Sequence, residues 1–181
     1  MKDDRNEVSI DLRQLLELAR DIDYEPNDLS HDQYRCFLKY YRLLSSFTVC
    51  DFLVGVAFAY SWMPRIPKIH PNGLEKAVAA AGRAWRGETL GIDELRFLKG
   101  VVNNSVVGTS KLLHFVSPEL YPILDSCVFA FLHGKVDTRI EKPQYYARYA
   151  DCCREFANRP EFTEFHGSVS KRTNDLELPK L

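Results

Sequence analysis

The feature that most constrains this chain is its apolar periodicity, which is helical almost from end to end. Leu12, Leu15, Leu16, Ala19 and Ile22 recur at three-to-four spacing after Ser9 or Asp11 and predict a first amphipathic helix. Ser30-His31-Asp32-Gln33 reads as a capping box ahead of Tyr34, Phe37, Leu38, Tyr41 and Leu44, which share one face of a second helix. From about Val49 to Tyr60 the residues are apolar nearly all round, as expected of a buried central helix. That helix is expected to stop at Trp62-Met63-Pro64, where Pro64, Pro67 and Pro71 break regular structure. Further helices are expected near 73–85, 92–102 and 143–157, and the polar stretch from about Gly167 to Leu181 reads as an irregular tail. No period-two run is long enough to build a sheet and no internal repeat is present, so the expected fold class is all-α.

With 181 residues, 45% of them hydrophobic and 12% aromatic, the chain can bury a core of its own. It does so either as one domain over residues 1–166 or as two small helical lobes sharing a cleft, with the boundary near 62–72. No apolar run reaches bilayer length, and the start Met1-Lys2-Asp3-Asp4-Arg5-Asn6-Glu7 is unlike a secretory signal, so a cytoplasmic protein without a membrane partner is expected. The five cysteines, Cys36, Cys50, Cys127, Cys152 and Cys153, are odd in number and sit in helical, apolar contexts, which reads as free thiols. Their spacing fits neither a zinc site nor a four-cysteine iron-sulfur cluster, and no phosphate-binding glycine loop or serine elbow is present; no metal or cofactor is expected. The net charge of −1 hides an asymmetry: residues 1–33 carry 4 Lys/Arg against 10 Asp/Glu, and residues 34–111 carry 11 against 5. That distribution fits either a local basic surface or ordinary solvated helix faces.

Chemistry concentrates between Val106 and Leu132, where Val107-Gly108-Thr109-Ser110-Lys111 is followed by Pro118, Tyr121-Pro122-Ile123 and Asp125, with Val128 beyond. A small, backbone-permissive run leads to Lys111, and a proline-bracketed loop leads to Asp125, which puts a lysine and a carboxylate at neighbouring helix starts. These residues resemble the helix-hairpin-helix DNA glycosylases, most closely the prokaryotic proteins resembling 8-oxoguanine DNA glycosylase. The resemblance covers about a quarter of the chain at motif level. It implies a compact helical glycosylase-like fold, double-stranded DNA with a flipped modified base as partner, Asp125 as the essential carboxylate and Lys111 as the amine of a bifunctional enzyme. Two departures stand out. The usual hairpin reads like Leu-Pro-Gly-Val-Gly, whereas here Asn103-Asn104-Ser105-Val106-Val107-Gly108 offers one glycine. Lys111 and Asp125 are 14 residues apart, about one helical turn less than in the classical members.

Breaking a glycosidic bond develops positive charge on the sugar, and a fixed carboxylate stabilises it; Asp125 suits this role and equally suits a plain N-cap. A lysine amine can attack the sugar C1′ and form a Schiff base, so Lys111 is either that nucleophile or a phosphate-binding or solvated lysine. The amides near Gly108, Thr109 and Ser110, with Lys99, are candidate DNA-phosphate contacts. His114, one turn beyond Lys111, is a candidate supporting residue or a structural histidine. Asn103 and Asn104 cap the preceding helix or reach the DNA groove. The aromatic residues supply more stacking candidates than sequence can choose among, Trp62, Trp85, Phe115 and Tyr121 included. The alternative to excision, in repair or in defence against phage with modified DNA, is a non-catalytic helical DNA-binding or protein-interaction module.

Overall fold

The computed structural model describes residues 8, 10, 11, 14, 15, 17, 29–63 and 65–172. Eight α-helices occur among them: α1 (Leu29–Arg42), α2 (Val49–Ser61), α3 (Leu74–Trp85), α4 (Ile92–Val101), α5 (Val106–Val116), α6 (Ser126–His133), α7 (Pro143–Ala157) and α8 (Pro160–Arg172), with a 3-10 turn at Thr138–Glu141. No strand is found among the described residues, and the one extended pairing is an isolated bridge between Ile69 and Val102. The fold is all-α, as the periodicity predicts. The helix expected from Leu12 to Ile22 lies largely outside the described residues.

Two boundaries differ from expectation. Helix α1 already runs from Leu29, so Ser30 sits inside its first turn rather than at a cap. The cap that does form is at α2, where the Asp51 carboxylate accepts the Thr48 backbone N–H at 2.8 Å and the Thr48 hydroxyl at 2.6 Å, with the Tyr40 hydroxyl on its other oxygen at 2.7 Å. Burial alone would raise the pKa of Asp51, but these three donors hold it below the ordinary carboxylate range. At the other end of the chain, α8 carries helix through Gly167 to Arg172, where an irregular tail was expected. Phe162 packs against Phe156 of α7, and this apolar contact gives the segment a partner that its polar composition does not advertise.

Helices α2 and α5 cross at the centre, and a glycine on each permits their approach. A methyl at Gly55 would fall on the Tyr41 hydroxyl and 2.5 Å from Leu112 Cδ1. One at Gly108 would lie 2.5 Å from the Tyr60 hydroxyl. Each helix therefore receives a bulky neighbour where it has no Cβ. Around this crossing Phe52, Leu112, Leu113, Phe115 and Leu124 lose all contact with solvent, each contributing roughly 1.5–3 kcal/mol by burial. One cluster of buried side chains includes residues from Leu38 to Cys153, on both sides of the 62–72 segment. That segment is pinned to the turn after α4: His70 N–H reaches Val101 O at 3.0 Å, Asn103 N–H reaches Lys68 O at 3.0 Å, and Asn103 Oδ1 accepts the Lys68 amide at 2.5 Å. Among the described residues no helix is long and apolar enough to cross a membrane.

Candidate functional site

The α4–α5 turn, where the resemblance leads one to expect a second glycine, is built on two asparagines instead. Asn103 and Asn104 take the left-handed conformation, with φ of 55° and 51°, a region asparagine enters more readily than other side chains. Ser105 then caps α5, its hydroxyl accepting the Gly108 N–H at 3.2 Å. The Glu141 carboxylate accepts the Val106 N–H at 2.7 Å and thereby places a fixed negative charge at the positive end of α5. Lys99 is drawn into the same junction, its ammonium donating to Glu141 O at 2.7 Å.

This geometry corrects several sequence-based assignments. Gly108, Thr109, Ser110 and His114 are all buried and present no surface to a ligand. Gly108 accommodates Tyr60, and the Thr109 hydroxyl donates back to Ser105 O at 2.8 Å. Lys99 is committed to Glu141. These five residues are engaged inside the fold. Lys111 was expected at a helix start; it lies in the second turn of α5, half-buried and without a hydrogen bond or ion pair to another described residue.

Asp125 is the N-cap of α6. Its Oδ1 accepts the Val128 N–H at 2.9 Å, which leaves Oδ2 with no partner among the described residues, and the side chain is half-buried. The segment that delivers it is held in an unusual manner, because five successive backbone carbonyls each meet a side-chain donor. Leu120 O takes Arg154 at 2.7 Å, Tyr121 O takes His114 at 2.8 Å, Pro122 O takes Tyr146 at 3.1 Å, Ile123 O takes Tyr149 at 3.0 Å and Leu124 O takes Ser110 at 3.0 Å. The donors come from α5 and α7, so the strap is stretched between the two helices. Ser110 also accepts the Leu124 N–H at 3.1 Å, which closes a two-way link between residues 110 and 124. Lys111 and Asp125 follow that linked pair directly in the chain, and this staple fixes their backbone positions relative to each other.

His114 takes part as a neutral ring. A carbonyl only accepts, so Nδ1 must carry the proton given to Tyr121 O, and Nε2 then accepts from the Tyr34 hydroxyl at 2.6 Å. Burial pushes its pKa down to about 4, more than the hydrogen bond to Tyr121 raises it. Through Tyr34, the ring ties α1 to α5 and to the strap.

Two cavities flank this region. One of about 140 Å³ lies behind the strap, against Leu90, Tyr121, Tyr146 and Arg154. Another of about 250 Å³ opens among Leu38, Tyr41, Trp85, Phe115 and Pro118. Neither is lined by Lys111 or Asp125. Among the described residues no group of three His, Cys, Asp or Glu side chains is placed to hold a metal ion. Tyr146 and Tyr149 count in the sequence among the aromatic stacking candidates, and the structure makes them, with Arg154, donors to the strap; nothing in their helical spacing distinguishes a hydroxyl aimed at a carbonyl from an ordinary core tyrosine.

No family model, curated protein or solved structure matches the chain.

Proposed function

We propose that the chain is a DNA N-glycosylase that removes a modified or damaged base. The reading rests on the motif resemblance, and the observation that supports it is the Ser110–Leu124 staple, which links the residues directly preceding Lys111 and Asp125 in the chain. A carboxylate with one oxygen anchored and the other open is suited to stabilise a developing sugar cation, because its charge is already fixed when the glycosidic bond breaks. The bonding pair leaves with the base nitrogen. C1′ then takes either a water molecule, whose proton passes to Asp125, or the Lys111 amine, which gives a Schiff base and licenses strand cleavage.

The alternative of a non-catalytic module that grips DNA through the hairpin draws less support. The Val106 amide is held by Glu141 and the Gly108 amide by Ser105, so these two donors are spent inside the fold. Repair and defence against phage with modified bases remain two biological settings for one chemistry, separated by substrate.

Asp125→Asn keeps size and capping ability while removing the charge, so excision from modified-base duplexes is expected to vanish with melting temperature and DNA affinity nearly unchanged. Retained excision would remove Asp125 from catalysis. Borohydride trapping of a covalent adduct that disappears in Lys111→Gln would establish the amine as nucleophile. Abasic sites formed without trapping or nicking would assign the attack to water. Oxidised-purine duplexes and DNA from modified and unmodified phage, compared by abasic-site count, distinguish repair from defence; release from none of them returns the binding module to first place.

A further inference from the structure

We propose that the indole of Trp62 is the ring on which an unstacked nucleobase of bound DNA stacks. This deepens the nucleic-acid reading above and rests on it. Trp62 ends a ladder of near-parallel rings: His114 stacks on Tyr34 with centroids 5.8 Å apart and planes at 22°, and Tyr34 stacks on Trp62 at 5.6 Å and 25°. Every member of the ladder is fixed by a hydrogen bond. His114 is held by Tyr121 O, Tyr34 by His114, and the Trp62 indole N–H by Gln33 Oε1 at 2.9 Å. The inner end of the ladder is buried, whereas Trp62 at the outer end is half-buried, so part of a held indole meets solvent there. A ring immobilised in advance loses little entropy when a base joins it.

Position relates this surface to the candidate catalytic pair. His114 and Phe115 are three and four residues beyond Lys111, and helical side chains lean toward the N-terminus of their helix, over the turn that holds Lys111. Tyr34 packs on the first of these rings, and Trp62 meets the second edge-on at 5.5 Å. The ladder therefore leads outward from the Lys111 turn. Beyond Trp62 the chain places Arg65 and Lys68, both exposed and outside any ion pair among the described residues, where they can take phosphates. Stacked ring and flanking cations together recognise a base with its sugar-phosphate backbone, and no base-specific edge is needed.

Trp62 and Trp85 are the two tryptophans of the chain, so fluorescence isolates the platform. In the full-length Trp85→Phe protein, emission from Trp62 is followed while adding a thymidine oligomer of about twelve nucleotides, within the usual single-strand site size. A second probe of equal length carries abasic sugars only. Quenching by the thymidine oligomer and not by the abasic one is expected, with affinity for the thymidine oligomer, measured by gel shift in proteins that keep Trp85, falling roughly tenfold or more in Trp62→Leu and largely kept in Trp62→Phe. Equal response to the two probes, or unchanged affinity in Trp62→Leu, overturns the proposal. Trp85 emission in the Trp62 variants reports whether the fold is kept. Excision by the wild type that survives Trp62→Leu undiminished sinks the stacking role and leaves the glycosylase reading standing. Base-dependent quenching by a protein that excises nothing keeps the platform and sinks the glycosylase.

Discussion

Replacing Ser110 by alanine tests whether the strap is held as the geometry implies. The side chain is fully buried in α5, and its single oxygen donates toward Val107 O and Leu124 O while accepting the Leu124 N–H. Leu124 is itself fully buried, so no water replaces the lost acceptor. An orphaned buried amide costs about 1–3 kcal/mol, and the lost donated bond adds about 1 kcal/mol. Alanine recovers roughly 0.5 kcal/mol through better helix propensity. The net loss is about 1.5–3.5 kcal/mol, which for a chain of this size lowers the melting temperature by roughly 3–14 °C. Denaturant and thermal unfolding of Ser110→Ala measure this directly. Tyr149→Phe provides the comparison: it removes only the donor to Ile123 O and orphans no backbone N–H, so a smaller loss of about 1 kcal/mol is expected. A Ser110→Ala protein within about 0.5 kcal/mol of wild type, the range of ordinary surface changes, would refute the account of the staple.

Two further perturbations follow from the same packing. The folded state holds His114 near a pKa of about 4, below its unfolded value of 6.5, so the unfolded chain binds the extra proton first as the solution is acidified. Stability is therefore complete above pH 6.5 and falls by up to about 3 kcal/mol on acidification through that window to pH 4; urea unfolding at several pH values, with the chemical shifts of the ring followed in parallel, checks both sign and range. Gly55→Ala drives a methyl onto Tyr41 and Leu112 at the α2–α5 crossing, and a loss of about 1–3 kcal/mol is expected from calorimetry, whereas Gly100→Ala, where a methyl meets nothing within 4 Å, is expected to be neutral or stabilising.

The helices were legible in the sequence because each buries one stripe against neighbours, and the stripe is written in the apolar spacing; α7 begins at its proline and ends at Ala157 as expected. Caps were harder. The sequence advertises a cap at Ser30 and not at Thr48 and Asp51, since a serine three residues before a glutamine looks the same whether or not the chain has already entered the helix. Of the candidate site, Asp125 was readable as a helix start, and its N-cap bond is present. Gly108, Thr109 and Ser110 read in the sequence as phosphate contacts because small polar residues suit both a ligand and a close helix crossing; the approach of Tyr60 to Gly108 and the burial of all three show the crossing. The strap was not legible at all. Its acceptors are backbone atoms, identical in every residue, and its donors lie up to 34 residues away.

That last point makes the strap a length gauge. Because Arg154, His114, Tyr146, Tyr149 and Ser110 each grip a carbonyl, the side chains at Leu120 and Ile123 are not what is recognised, and substitution there leaves the grip in place. One residue inserted or deleted between Tyr121 and Leu124 is a different matter. It displaces the following chain by about 3.3 Å, moves later carbonyls off their donors and carries Asp125 out of register with Lys111. The segment thus tolerates spelling changes and forbids changes of count, which makes the fixed spacing from Lys111 to Asp125 a mechanical requirement of the two helices that hold it.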